Sequence, residues 1–116
     1  MSGSNEGCLF CGIVAGEVSA EVVHTTERTV AFRDLNAQAP THVLVVPKDH
    51  YADAAALAAG EPAGMAELVT SAHAVATAEG HDDYRLVFNT GAGAGQTVFH
   101  THVHVLAGRS MTWPPG

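Results

Sequence analysis

Positive charge is what this chain has least of. Five Lys and Arg stand against twelve Asp and Glu among 116 residues, a formal charge of −7 with histidine neutral. Nucleic-acid backbones are bound by clustered cations that displace counterions, and no basic stripe exists here, so nucleic acid is excluded as a partner. No apolar run approaches the roughly 20 residues of a membrane span. The opening Met1-Ser2-Gly3-Ser4-Asn5-Glu6-Gly7 lacks the basic and apolar regions of a signal peptide. The expectation is a cytoplasmic protein without membrane contact. Aromatics are scarce at 6%, but hydrophobic residues reach 47%, enough for one modest core in a single domain of residues 1–116, with 1–7 a disordered lead-in. Cysteine is limited to Cys8 and Cys11. In a reducing compartment such a C-x-x-C pair is more often a metal half-site or a redox pair than a structural bridge. A thioredoxin-like redox pair would follow a strand, and only a glycine-rich tail precedes this one. Half a zinc site, needing two further ligands, fits better.

Histidine, by contrast, is abundant. Three of the eight fall within Phe99-His100-Thr101-His102-Val103-His104-Val105-Leu106 at a spacing of two. That is a strand's period, and it predicts His100, His102 and His104 on one face with Phe99, Thr101, Val103 and Val105 on the other, core-facing one. Imidazoles at i and i+2 lie about 6.6 Å apart along a strand and repel if all are charged, so the face is expected to meet something anionic or metallic. His24, His42, His73 and His81 share no spacing with a partner and read as ordinary core or surface residues.

The remaining pattern frames this strand. Leu9 to Ala15 suits a short helix stopped by Gly16. Val22 to Thr25 and Thr29 to Arg33 form a hairpin around Thr26-Glu27-Arg28. His42 to Val46 is a β-branched run ended by Pro47, the mark of a strand covered on both faces. Asp53 caps a short alanine-rich helix, and Pro62 opens a long one whose stripe is Met65, Leu68, Val69, Ala72, Val75 and Ala76, capped by Gly80. Tyr84 to Phe88 alternates as a further strand. The order gives an α+β domain with a five-stranded, mostly antiparallel sheet and one long and one short helix.

Gly91-Ala92-Gly93-Ala94-Gly95-Gln96-Thr97 delivers the chain to His100. It has no P-loop lysine and runs into a strand, but amides of Gly95, Gln96 and Thr97 are placed to form an anion-holding nest. Phosphate beside imidazole suggests phosphoryl or nucleotidyl transfer. A neutral imidazole nitrogen attacks phosphorus at physiological pH, and central His102 is the expected nucleophile, one ring nitrogen held protonated by a backbone carbonyl. His104 is placed to donate to a phosphate oxygen or help the leaving group, with the Thr97 hydroxyl passing a proton.

His100-Thr101-His102-Val103-His104-Val105-Leu106 resembles the signature of the histidine triad (HIT) superfamily. Its Hint branch of nucleotide-binding proteins is matched further by Phe32-Arg33-Asp34-Leu35, Gln38-Ala39-Pro40-Thr41-His42, Val46-Pro47-Lys48, Asn89, Gly95-Gln96-Thr97-Val98 and Trp113-Pro114-Pro115-Gly116. The resemblance implies a homodimer whose two sheets join into ten strands, and hydrolysis of purine nucleoside 5′-phosphoramidates, such as AMP linked to an amine or lysine, through a nucleotidyl-histidine. It makes His102 the nucleophile, puts His104, Asn89, Gly95, Gln96 and Thr97 at the phosphate, and gives Asp34 the ribose hydroxyls. It places Phe10, Ile13, Phe32 and Leu35 around the purine and Trp113 toward the partner subunit's leaving-group side. Bacterial-type members with an N-terminal C-x-x-C further imply a structural zinc on Cys8, Cys11, His50 and His100. Arg33, the alanine-rich helix and the plain Gly91–Ala94 depart from the commonest members and bear on leaving-group preference. Three other readings compete: a non-catalytic nucleotide-binding protein, a dinucleoside polyphosphate hydrolase, and a hydrolytic metal site on the three histidines.

Overall fold

Thr41–Pro47 forms the central strand β3, and all of its residues are buried. A strand covered on both faces cannot alternate apolar with polar, which is why Val43-Leu44-Val45-Val46 runs unbroken. Around it the computed structural model, which describes residues 7–116, builds one sheet. Residues 1–6 of the expected lead-in lie outside the described residues. The strands are β1 (Val22–Thr25), β2 (Thr29–Arg33), β3, β4 (Arg85–Val87) and β5 (Val103–Ala107), in the order β1-β2-β3-β5-β4. Every neighbouring pair is antiparallel.

Each face has its own cover. The long helix α3 (Pro62–Ala78), with Pro62 in its first turn, follows the shorter α2 (Ala54–Gly60), whose Asp53 cap accepts the Ala56 N–H at 2.9 Å. Leu57, Leu68, Ala72, Val75 and Ala76 from these helices meet Ala31, Val43, Val45, Val103 and Val105 of the sheet. Burying each leucine or valine contributes about 1.5–3 kcal/mol, so this is the face that holds the domain together. Val69, expected in the same stripe, is 41% exposed, because it lies about 100° round the helix from the fully buried Leu68, on the flank of the core face. On the other face the six-residue α1 (Leu9–Val14) lays Phe10 over Val30, Phe32, Leu44 and Val46.

The histidine strand is shorter than its pattern. β5 begins at Val103, not Phe99, and Phe99 is 51% exposed instead of core-facing. The register that pairs Val45 with Val103 would bring Thr101 opposite Pro47, which has no N–H to donate. The Pro47 carbonyl instead takes the ring of His100 at 2.8 Å, and the Thr101 N–H turns to the Tyr51 carbonyl at 2.7 Å. Thus His100 and His102 leave the ladder while His104 stays in it.

Candidate active site and metal cluster

His102 and His104 line a cavity of about 310 Å³ on the α1 face, and His100 lies behind them, fully buried. The Nδ1 of His102 lies 2.9 Å from the His100 carbonyl. A carbonyl only accepts, so the proton is on Nδ1 and the lone pair is on Nε2. Phe10 meets the His102 ring edge-on at 5.1 Å, and the His104 ring is also 5.1 Å away. The ring is thereby fixed in tautomer and in plane.

His104 is held in the opposite tautomer. The Gln38 N–H donates to Nδ1 of His42 at 2.9 Å, which leaves the proton of His42 on Nε2. That proton faces Nδ1 of His104 at 2.9 Å and Oδ2 of Asp34 at 3.3 Å. Nδ1 of His104 therefore accepts, and its Nε2 carries a hydrogen. Burial pushes His104 down to about 4, helped by His102 and His42 and opposed by the Asp34 carboxylate. Burial also lowers His42, against the same carboxylate. One imidazole offers a lone pair, its neighbour an N–H donor, and the donor stays neutral at pH 7.

The cavity collects most of the residues singled out in the sequence. Phe10, Ile13, Phe32, Asp34, Leu35 and Thr97 line it with the two histidines, and Val18, Ala20, Leu44 and Val98 complete its apolar wall. Asp34 Oδ1 accepts the Asn36 N–H at 2.8 Å, which fixes the carboxylate at the rim, and Leu35 is fully exposed beside it. The glycine loop is arranged differently from the expected nest. The amides of Gly95 and Gln96 are spent on the carbonyls of Ala92 and Gly91, at 3.0 and 3.1 Å, closing the short 3₁₀ turn Ala92–Ala94. Gly95 turns it with φ +96°, a left-handed conformation that glycine alone enters at no steric cost. The buried Gln96 amide accepts the Gly91 N–H and donates to the carbonyls of Ala52 and Val98. It braces the loop, and neither it, Gly95 nor Asn89 lines the cavity. Trp113, on the tail, is 83% exposed and apart from the cavity.

A second cluster sits directly beneath. Cys8 caps α1, Cys11 is on it, and neither is in a disulfide. Sγ of Cys8 is 3.4 Å and Sγ of Cys11 3.5 Å from Nδ1 of His100, while Nδ1 of His50 is 3.3 Å from Cys11 Sγ and 3.1 Å from His100 Nδ1. Sulfur and nitrogen donors at zinc bonding distances sit roughly 3.3–3.8 Å apart around a tetrahedron, so the three sulfur–nitrogen separations fit that ion and the nitrogen–nitrogen one falls slightly short of it. His100 donates Nε2–H to the Pro47 carbonyl, which turns its lone pair toward the cysteines, as metal-bound histidines do. Asp34, His42 and His104 also lie within 4.8 Å of one another. There the Gln38 bond keeps the proton on the His42 Nε2, so that group is a hydrogen-bonded set and not a ligand set.

With this geometry in view, comparison with known proteins is decisive: the HIT domain family model matches residues 15–111. The chain belongs to the HIT family. A HIT-like protein of Synechococcus elongatus is 42% identical over 113 residues, 97% of this chain and 99% of its own. The 14 kDa zinc-binding protein of Zea mays is 42% identical over 111 residues, 93% of this chain and 87% of its own. The crystal structure of a HIT family hydrolase from Legionella pneumophila superposes with a TM-score of 0.90 at 46% identity, covering 95% of this chain and all of that one. The five-stranded antiparallel sheet with its helices is thus the HIT fold. No helix among the described residues is long and apolar enough to cross a membrane.

Proposed function

We propose that this HIT-family chain is a hydrolase of purine nucleoside 5′-phosphoramidates acting through a nucleotidyl-histidine at His102. The observation that carries the reading is the pair of opposed tautomers, an Nε2 lone pair on His102 beside an Nε2–H on His104. A bound nucleotide has its purine against Phe10, Ile13, Phe32 and Leu35, its ribose hydroxyls on Asp34, and its phosphate beside His104 and Thr97. Asn89, Gly95 and Gln96 form the support behind that phosphate. Nε2 of His102 attacks phosphorus, the P–N bond breaks, and the amine leaves as it takes a proton from water through the Thr97 hydroxyl, while the Nε2–H of neutral His104 donates to a phosphate oxygen. Water then cleaves the P–N bond to His102, releasing the nucleoside monophosphate and restoring the lone pair.

Two assemblies belong to this reading. Cys8, Cys11, His50 and His100 hold a structural zinc, whose chemistry is to cross-link α1 to the sheet without taking part in the reaction; the Cys₂His₂ set and the name of the Zea mays relative support it. Two copies join their β4 edges into a ten-stranded sheet, with Trp113 reaching the partner's leaving-group side. β4 is one of the sheet's two outer strands, and such an edge offers unpaired backbone groups to another chain.

The test is brief mixing with an adenosine phosphoramidate followed by mass spectrometry of the intact protein. A nucleotidyl adduct on His102 is expected, and His102→Ala is expected to lose roughly three orders of magnitude or more in hydrolysis while retaining AMP affinity. Hydrolysis at an undiminished rate in His102→Ala would overturn the reading.

A further inference from the structure

The two cysteines stand where chemistry at sulfur would reach the nucleotide cavity. α1 presents Cys8 and Cys11 to the cluster, and between them Phe10 reaches into the cavity, its ring 5.4 Å from Phe32 and 5.1 Å from His102. Backbone hydrogen bonds of α1 close on α1 itself and on the turn after it, such as Gly12 N–H to the Cys8 carbonyl and Val18 N–H to the Gly12 carbonyl. Toward the body of the domain, Cys8 and Cys11 reach His50 and His100 through sulfur. The carbonyl that holds the His102 proton belongs to His100, so the cluster and the nucleophile share a residue.

Cys8 is also open to reagents. It is half-buried and lines, with His50, Leu9 and Thr97, a groove of about 570 Å³ on the outer side of the cluster. Its sulfur lies within 4.8 Å of the other donor atoms, Cys11 Sγ included. A C-x-x-C pair at that separation closes to a disulfide with side-chain rotation and little backbone movement.

We propose that Cys8 and Cys11 are a thiol-modification site through which a low-molecular-weight disulfide, of the glutathione disulfide class, weakens nucleotide binding. The Cys8 thiolate attacks one sulfur of the reagent, whose S–S bond breaks and releases one thiolate. The Cys11 thiolate then attacks the Cys8 sulfur of the mixed disulfide and releases the second. The protein pair loses two electrons and the reagent gains them. Two of the four donors are consumed, His50 and His100 alone cannot complete a tetrahedral site, and α1 keeps its apolar packing on the sheet but loses its polar tie to His50 and His100. Phe10 then holds the purine wall and the His102 ring less firmly.

This rests on the nucleotide and zinc readings above, and one experiment separates them. Reduced, zinc-loaded protein is titrated with glutathione disulfide while zinc release is followed with a chelating dye, closure by intact mass, and AMP affinity by calorimetry. Zinc is expected to leave in step with an intramolecular disulfide free of bound glutathione. AMP affinity is expected to fall about tenfold, the equivalent of one lost aromatic contact, and dithiothreitol with zinc should restore both. A Cys8→Ser/Cys11→Ser variant should show no response to the reagent. Unchanged AMP affinity after complete closure, or a stable glutathione adduct at Cys8, overturns the proposal alone. Failure of the reduced protein to bind AMP overturns the nucleotide reading beneath it.

Discussion

Nε2 of His42 lies 2.9 Å from Nδ1 of His104, and the proton between them belongs to His42 because the Gln38 N–H already occupies its other nitrogen. His42 is therefore a positioning residue: it touches no cavity volume but dictates which nitrogen of His104 carries hydrogen. Outer partners of this kind are typically worth 10–100-fold. His42→Ala is expected to lower kcat about 10–100-fold with little change in KM. Nitrogen-15 NMR should show His104 passing from one tautomer to a mixture. A variant with full kcat and an unchanged His104 signal would mean that the bond sets nothing.

Acid should act through the same pair. His104 sits at about 4 in the fold against about 6.5 when free, and His42 is lowered too. Between those values the unfolded chain binds protons that the folded one refuses. Their contribution to stability is therefore complete above about pH 6.5 and is lost as pH falls toward 4. The melting temperature should decline across that window and decline less steeply in His104→Asn. Parallel pH profiles for the two proteins would show that His104 is not responsible.

How much of this was legible in the sequence depends on which interactions are local. The strand of His104, the cap at Asp53, Pro62 in the first turn of α3 and the two-faced burial of β3 follow from periodicity and backbone chemistry within a few residues. His42 reads as an ordinary histidine in the sequence because its partner is 62 positions away. Only the β3–β5 register, Leu44 opposite His104, sets the two rings side by side. The histidine strand is shorter than its periodicity for a similar reason, since Pro47 breaks its ladder from the neighbouring strand. The nest at Gly95 and Gln96 failed because a glycine-rich loop can satisfy its own amides, which composition alone does not reveal.

Gln96 offers a test of that correction. Its side chain is 3% exposed and makes three hydrogen bonds, to Gly91, Ala52 and Val98. Removing it strands a backbone N–H and two carbonyls, at about 1–3 kcal/mol for a buried unsatisfied group. Gln96→Ala should thus lose about that much stability in urea unfolding, with nucleotide affinity declining as a consequence. Loss of AMP affinity at undiminished stability would instead make Gln96 a direct ligand contact.

Metal removal separates a structural ion from a hydrolytic one. If three strand histidines held a catalytic metal, His100, His102 and His104 would all turn lone pairs to one point, yet the Nε2 of His104 carries its hydrogen and the lone pair of His100 faces the cysteines. Among the described residues, the Cys8, Cys11, His50 and His100 set is the one that brings two sulfurs and two imidazole nitrogens within 4.8 Å of one another. Metal analysis should find one zinc per chain in the reduced protein, and little in Cys11→Ser. Exhaustive chelation should lower the melting temperature, since α1 loses its cross-link, while the chelated protein still forms the nucleotidyl adduct at His102 when cooled below that transition. An adduct that disappears with the metal under conditions where circular dichroism shows the fold intact would place the ion in the chemistry itself.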